Sequence, residues 1–270
     1  MVLTFWGVRA STPVPGPSTV RVGGNTVCID IAEGSDGQHV VMDAGTGIIM
    51  LGKRLLAGPC GKGRGEVHIF LTRTHWDHIQ GFPFFIPAFI PGNHIILRGR
   101  AVSSRTVREL LEAQMRGAYS PIFALGNMGA TIDVEEMDNS AVTFGPFTMA
   151  TIVLPHRGLS SLGYRISAGG RSAVLLGDLH YEGTSRDTAT AFAAGADLIV
   201  HDVGDSAMNG SEARIAIAMA REAGAPRLLF THYAPRQADD DVEHLVAAAR
   251  REAGPSLAVD AAREGMQVVV

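Results

Sequence analysis

Three potential metal ligands, His75, Asp77 and His78, fall within four residues of the chain. They follow the apolar run at residues 67–71, whose length and bulk predict a buried strand. A short turn after such a strand would direct two imidazoles and a carboxylate into one cleft. Ligands of this kind suit zinc, manganese or iron. Because two histidines and an aspartate are costly to bury without partners, the cluster predicts a metal site.

Arg73 lies two residues before His75 and changes the chemistry of this cluster. Its guanidinium stays protonated and has no lone pair to offer, so Arg73 cannot be a ligand. A fixed positive charge therefore stands beside the predicted cation site. The segment therefore predicts a metal site whose chemistry is altered by Arg73.

Several other polar residues stand at the ends of apolar runs that read as strands. Besides the 75–78 cluster, they are Asp43, His156, Asp178, the pair His201 and Asp202, and His232. Strand ends on one edge of a sheet converge, and catalytic groups gather at such edges. One histidine after a strand means little, but a series of strand ends predicts a shared cleft.

The elements that must position these residues follow from periodicity and turn signals. Strands are predicted at 2–5, 27–31, 40–42, 67–71, 95–97, 141–144, 147–154, 162–167, 172–176, 196–200 and 227–230. Helices are predicted at 48–56, from Ser103 or Ser104 to about 116, and at 189–194, 211–223 and 239–251. No linker or low-complexity segment appears, so we expect one domain over 1–270. Its predicted class is α/β, a four-layer αββα sandwich.

Composition narrows the functional classes. The chain has 270 residues, 46% hydrophobic and 19% charged, which is typical of a globular enzyme. A formal net charge of −4 argues against strong nucleic-acid binding, although a small phosphorylated substrate is compatible with it. Two cysteines indicate a reducing compartment. The sequence shows neither a signal peptide nor an apolar run of membrane-spanning length, so we expect a cytoplasmic protein without a membrane partner.

Motifs along nearly the whole chain resemble those of the metallo-β-lactamase superfamily, in a branch similar to phosphodiesterases and tRNase Z-like hydrolases. The matching segments are FWGVR at 5–9, GNT at 24–26, DAGTG at 43–47, THWDHIQG at 74–81, SLGYR at 161–165, GD at 177–178 and TH at 231–232. They occur in the expected order, and the resemblance implies the αββα fold named above.

The resemblance also implies roles for individual residues. A first metal would be held by residue 73, His75 and His156, and a second by Asp77, His78 and His232, with Asp178 bridging both. A water shared by such a pair of cations ionises near neutrality and attacks as a metal-bound hydroxide. Asp77 would also orient it, Asp43 and Asp202 would fix imidazole tautomers, and His180 and His201 are candidates for the leaving-group acid.

Arg73 departs from this pattern, because the family has a histidine there. Four interpretations remain open: one metal at the second site, an arginine that replaces the first metal and binds phosphate, a binding protein without catalysis, or an introduced substitution. Repulsion between a guanidinium and a nearby dication favours a mononuclear or weakly binuclear site.

These observations predict a metal-dependent hydrolase that acts on a phosphodiester such as a cyclic nucleotide or a short nucleic-acid end. It would use one or two divalent ions, with Zn²⁺ favoured and Mn²⁺ and Fe²⁺ as alternatives. The substrate would be small and phosphorylated. The sequence does not determine the oligomeric state, and a homodimer is compatible with the resemblance because dimers are common in that superfamily. A ligand-binding protein with a degenerate metal site and a hydrolase of esters or lactones are the rival hypotheses.

Overall fold

The protein is described by a computed structural model over residues 1–33, 38–117, 120, 124–156, 159–177, 184–204 and 210–270. Its strands are β1 (Val2–Gly7), β2 (Cys28–Ala32), β3 (His39–Met42), β4 (Glu66–Phe70), β5 (His94–Gly99), β6 (Thr131–Glu136), β7 (Ala141–Phe144), β8 (Phe147–His156), β9 (Leu159–Ala168), β10 (Arg171–Leu176), β11 (Leu198–Gly204), β12 (Arg227–Tyr233), β13 (Ala258–Ala261) and β14 (Gln267–Val269). Its α-helices are α1 (Gly47–Leu55), α2 (Trp76–Ile79), α3 (Val107–Ala113), α4 (Ser185–Ala193), α5 (Ser211–Glu222) and α6 (Asp239–Ala253).

The strands form two sheets of seven strands each. The first has the order β14-β1-β2-β3-β4-β5-β6 and the second β13-β12-β11-β10-β9-β8-β7. Pairing is antiparallel from β14 to β3 and parallel from β3 to β6. In the second sheet β7 to β10 are antiparallel and β10 to β13 are parallel. Both sheets are therefore mixed, and each passes from hairpins to parallel crossovers.

Side chains of β3 are buried on both faces, which shows how the layers stack. Val40 and Met42 belong to the core cluster shared with the second sheet, whereas Val41 belongs to the cluster under α1 and α3. This division follows from the period-two alternation of a strand. Helices α1 and α3 contact the first sheet, and α4, α5 and α6 contact the second. The predicted αββα sandwich is confirmed.

Several predicted boundaries were wrong in detail. Helix α3 does not begin at Ser103 or Ser104, which adopt left-handed turn conformations with φ of 52° and 61°. Its N-cap is Thr106, which shares a capping box with Glu109. The short strands β6, β13 and β14 were not predicted, because edge strands carry weak hydrophobic signals. Strands β11 and β12 run beyond residues 200 and 230, so they include positions predicted to follow them.

Within the ranges given above, every helix is too short or too polar to cross a lipid bilayer.

A set of hydrogen bonds from β9 holds the segment that leaves β4 against the second sheet. The hydroxyl of Tyr164, which is fully buried, donates to the Leu71 carbonyl at 2.7 Å. The Leu162 amide donates to the Thr72 carbonyl at 2.8 Å, and the Ser161 hydroxyl donates to the same carbonyl at 3.2 Å. Strand β9 therefore determines where the chain emerges from β4 toward the 75–78 cluster.

We expect Tyr164→Phe to lower the free energy of unfolding by about 1–2 kcal/mol, because the buried Leu71 carbonyl would lose this donor. Urea denaturation followed by circular dichroism would measure it. Thr148→Val is the control, since it removes the hydroxyl of an exposed Thr143–Thr148 pair and should change stability by less than about 0.5 kcal/mol. Equal effects of the two variants would contradict the role assigned to the Tyr164 hydrogen bond.

Candidate metal centre

The short helix α2 carries two of the predicted ligands into the interior. His75 precedes the helix in an extended conformation, with φ of −62° and ψ of 152°, and its carbonyl accepts from the His78 amide at 2.9 Å. Asp77 and His78 are buried, whereas His75 and Trp76 are exposed. One helical turn thus separates the three clustered residues into an inner pair and an outer histidine.

The loop after β3 fixes the position of α2. The Ala44 amide donates to the His78 carbonyl at 2.7 Å, and the Gly81 amide donates to the Ala44 carbonyl at 2.9 Å. Gly45 lies so close that an added Cβ would be 2.5 Å from the Asp77 carbonyl oxygen. Gly45, the first glycine of the DAGTG segment, is therefore required here, because any side chain would prevent the close approach of its backbone to that of Asp77.

The two sheets meet at three side chains that converge on one point. His232 Nε2 lies 3.0 Å from Asp77 Oδ2, and His78 Nε2 lies 3.6 Å from the same oxygen. Ligand atoms of all three residues are within 4.8 Å of one another, and all three residues are buried. The structure thus brings together three of the six predicted ligands in one group.

This group fits a metal ion by its spacing and its chemistry. Ligand atoms around a tetrahedral zinc ion lie roughly 3.3 Å apart when the bonds are about 2.0–2.1 Å. The separations of 3.0 and 3.6 Å lie on either side of this value. Two imidazoles and one carboxylate, with a further position open to water or substrate, form a ligand set found in catalytic zinc sites.

Two buried carboxylates support the imidazoles from behind. Asp43 Oδ2 lies 3.0 Å from His78 Nδ1, and Asp202 Oδ2 lies 3.1 Å from His232 Nδ1. In each ring the Nδ1 atom faces a carboxylate, so Nε2 faces the convergence point. Partners of this kind determine the tautomer and orientation of a ligating histidine. Asp43 and Asp202 therefore lie beside the imidazoles that they are expected to orient, and this role stays a prediction.

Asp43 and His232 adopt left-handed backbone conformations, each with a φ of 61°. For residues other than glycine this region costs on the order of 1–3 kcal/mol, and such residues cluster at functional sites. Asp43 is held by the Thr72 amide and hydroxyl, which donate to its carboxylate at 2.8 and 2.9 Å. The surrounding hydrogen bonds therefore maintain backbone geometry that these residues would not adopt alone.

The remaining predicted ligands on described residues, His75 and His156, lie beside each other, and Arg73 contacts His156. The rings of His75 and His156 are 5.4 Å apart between centroids. Arg73 is buried between His78 and His156 and lies 3.1 Å from a nitrogen of each. Two residues predicted to hold the first metal, His75 and His156, are therefore close together, and the guanidinium of Arg73 contacts His156.

Two predicted residues, Asp178 and His180, lie outside the described residues, so their roles remain predictions. His201 and Asp202 lie inside β11, and His232 lies inside β12, rather than after these strands as expected. In the parallel ladder Asp202 pairs with Thr231, next to His232. His201 is buried, and its Nδ1 lies 2.5 Å from the backbone carbonyl oxygen of Asp202. Its role as the leaving-group acid stays a prediction.

Two residues that hydrogen-bond to this group, Ser11 and Thr72, were not predicted from the sequence. The Ser11 amide donates to Asp77 Oδ2 at 2.7 Å, and Thr72 connects Asp43 to His78 through its hydroxyl, 3.1 Å from His78 Nδ1. A backbone amide leaves no signature in a sequence, so Ser11 could not have been found. Thr72 directly follows a buried strand, and its polarity there was an available signal.

The charges of the group are strongly coupled. Burial would raise the pKa of Asp77, but the neighbouring His78 ring, the hydrogen bond and charge of His232 and the charge of Arg73 outweigh this effect and lower that pKa well below its usual range. Burial lowers the pKa of His232, but the carboxylates of Asp202 and Asp77 more than offset this effect and raise it to about 9. At neutral pH the metal-free group therefore contains an ionised Asp77 and a protonated His232.

Residues 38–233 match the Beta-lactamase superfamily domain, and this segment is more than half of the chain. The chain belongs to this family. A comparison with curated proteins finds no significant match.

Solved structures agree with this superfamily assignment. The metallo-beta-lactamase fold protein YhfI from Bacillus subtilis is 20% identical, with a TM-score of 0.68 and 99% of each chain covered. The short form of human tRNase Z is 18% identical, with a TM-score of 0.63, and the match covers 100% of this chain and 99% of that one. A diphosphatase of the PhnP family is 15% identical, with a TM-score of 0.63 and coverages of 100% and 97%. At these identities the likeness establishes the fold.

We expect metal binding to displace the proton on His232 Nε2. Because the pKa of His232 is about 9, the number of protons that metal binding releases from it should decrease by about 0.7 per chain between about pH 7.5 and about pH 9.5. For the same reason metal affinity should rise with pH up to about 9. Calorimetric zinc titrations in buffers of different ionisation enthalpy would count the protons.

The control for proton release is His94→Gln, since His94 is partly exposed and pairs with Asp133 rather than with the metal group. Its proton count should match that of the native protein. A native count that stays constant between the two pH values would show that His232 does not give up a proton to the ion.

We expect Gly45→Ala to displace α2, because the new Cβ would lie 2.5 Å from both the Asp77 carbonyl and the Thr26 hydroxyl. The unfolding free energy should fall by about 1–3 kcal/mol, and bound metal per chain should fall with it. In Gly126→Ala the added Cβ would meet no atom within 4 Å, so that variant should keep its metal. Elemental analysis of both variants, purified in parallel without chelator, would decide; equal metal content would contradict the positioning role of Gly45.

Proposed function

We propose that this protein is a metal-dependent hydrolase of small phosphodiesters, with one divalent ion held by Asp77, His78 and His232. The observation that carries the proposal is the convergence of Asp77 Oδ2, His78 Nε2 and His232 Nε2 at separations suited to one ion. Zinc is the favoured ion because the ligand set mixes imidazole and carboxylate, and Mn²⁺ and Fe²⁺ remain alternatives.

The residues of the group would divide the work of hydrolysis. A bound divalent ion supplies Lewis-acid activation of water and of an anionic substrate oxygen. Asp43 and Asp202 would keep the imidazoles of His78 and His232 oriented by facing their Nδ1 atoms. The carboxylate of Asp77 would accept hydrogen bonds and so orient a water molecule beside it. His75 and Trp76 are exposed next to these buried residues, so substrate would approach from their side.

A phosphodiester is favoured over a neutral ester by charge and by fold relatives. The buried guanidinium of Arg73 adds a fixed positive charge next to the group, which suits an anionic substrate. Two fold neighbours are named as a tRNase and a diphosphatase. The formal net charge of −4 disfavours long RNA. We therefore propose a small phosphorylated substrate, with no membrane partner and no strong nucleic-acid binding. A cytoplasmic location and a homodimer belong to the same proposal.

Turnover of bis(p-nitrophenyl) phosphate is the direct test. We expect the protein to hydrolyse it, to lose activity after chelation, and to regain it with Zn²⁺, Mn²⁺ or Fe²⁺. His232→Gln should lower kcat/KM by about 100-fold or more, because loss of a ligand removes several kcal/mol of Lewis-acid stabilisation. His94→Gln is the matched control and should retain native turnover.

Other substrates distinguish the rival functions. Hydrolysis of p-nitrophenyl acetate or a simple lactone, without hydrolysis of the phosphodiester, would replace the proposal by an esterase or lactonase. Metal-independent binding of a phosphorylated ligand, with no turnover of any of these compounds, would favour a binding protein.

A further inference from the structure

The side chain of Arg73 lies where a cation would be expected among histidines. Its Nε donates to His78 Nε2 at 3.1 Å, and its Nη1 lies 3.1 Å from His156 Nε2 and 3.5 Å from His156 Nδ1. The residue is only 5% exposed. Its positive charge helps to lower the pKa of Asp77 and of Asp202. Its hydrogen-bond donors also face two imidazoles, and this placement calls for a chemical explanation.

That explanation lies in the lone pairs of the imidazoles. A guanidinium has five donors and no acceptor, so any ring nitrogen that hydrogen-bonds to it must accept. His78 Nδ1 faces the carboxylate of Asp43 at 3.0 Å and carries the ring proton, so the lone pair is on Nε2. An imidazole coordinates a metal ion through this same kind of lone pair. Arg73 therefore uses, on both rings, electrons that an ion would otherwise use.

The geometry points to Arg73 as the second cation of the centre: its guanidinium takes the place of another metal ion between His78 and His156 and limits the chain to one bound ion at Asp77, His78 and His232. The inference rests on the proposed function only in requiring a metal at those three residues. It deepens that function because an arginine binds anionic oxygens by hydrogen bonds as well as by charge.

Loading of the single ion and the position of Arg73 are coupled through His78. The ion needs the Nε2 lone pair of His78, so the hydrogen bond from Arg73 Nε must open when the ion binds. The contact between Nη1 and His156 does not involve the three metal-binding residues and can remain. The ion thus competes with Arg73 for one ring, while the guanidinium keeps its place against the other.

Metal content per chain tests this inference without any assay of activity. The native protein and Arg73→His, both metal-stripped, would be titrated with zinc against a chromogenic chelator, and bound zinc would be verified by elemental analysis. We expect one ion in the native protein and two in Arg73→His, because a histidine at this position adds a ligand and removes the charge. Two ions in the native protein would overturn the inference.

A further variant separates the charge of Arg73 from the ligand introduced by histidine. Arg73→Met removes the guanidinium and adds no strong ligand, so the single ion should bind about tenfold more tightly or better once competition for His78 is gone. The metal-loaded variant should also bind inorganic phosphate at least about tenfold more weakly than the metal-loaded native protein. Unchanged affinities for both zinc and phosphate would overturn the inference.

Arg98→Met is the matched control, because Arg98 is also a buried arginine that contacts a histidine, with Nη1 2.9 Å from His68 Nδ1. Its zinc count and phosphate affinity should equal the native values in the folded fraction.

The outcomes also separate this inference from the proposed function. One zinc ion in the native protein and two in Arg73→His, without phosphodiester turnover, would support the role of Arg73 and overturn the phosphodiesterase. Two ions in the native protein together with turnover would do the reverse. No zinc in the native protein or in either Arg73 variant would overturn both.

Discussion

The contact between Asp77 and His232 is the interaction on which the rest of this structure depends. The two residues are 155 positions apart, one following the first sheet and the other inside the second, and they meet at 3.0 Å. Both are buried, so each charge requires opposite charges or hydrogen-bond partners close to it. Asp202 also faces His232, and the Ser11 amide also donates to Asp77. The sandwich can close at this end only if the two sheets bring these groups together.

Much of the surrounding architecture holds that contact in register. Strand β9 binds the backbone that leaves β4, the loop after β3 binds the backbone of α2, and Gly45 allows the two segments to approach closely. Asp43 and His232 adopt left-handed conformations that only a well-determined environment maintains. Backbone strain is therefore located where the candidate ligands converge, which is typical of functional sites.

Charge balance gives the group its chemical character. Asp43, Asp77 and Asp202 are gathered with His78, His232 and Arg73, all of them buried. The supporting carboxylates face Nδ1 of the rings, so both Nε2 atoms are directed to the centre. Within this arrangement Arg73 differs from the histidines, because its guanidinium is a permanent cation placed against two imidazoles.

The sequence by itself determined the fold class and the identity of the candidate ligands. Alternating apolar runs predicted the buried strands, and His75, Asp77 and His78 could be recognised because their types and spacing are costly to bury for any structural purpose. It also showed that Arg73 cannot ligate a metal, since that follows from the chemistry of the side chain alone.

Only the tertiary structure decided which of these residues share a centre. The contacts that define the centre join segments far apart in the chain. Asp77 pairs with His232, and each ring is oriented by Asp43 or Asp202. Arg73 lies between His78 and His156. The Ser11 amide bond to Asp77 and the short edge strands were equally beyond prediction, because backbone donors and weakly apolar edges leave little trace in a sequence. Local periodicity reports which face of a strand is buried, whereas distances between sheets depend on how the whole sandwich packs.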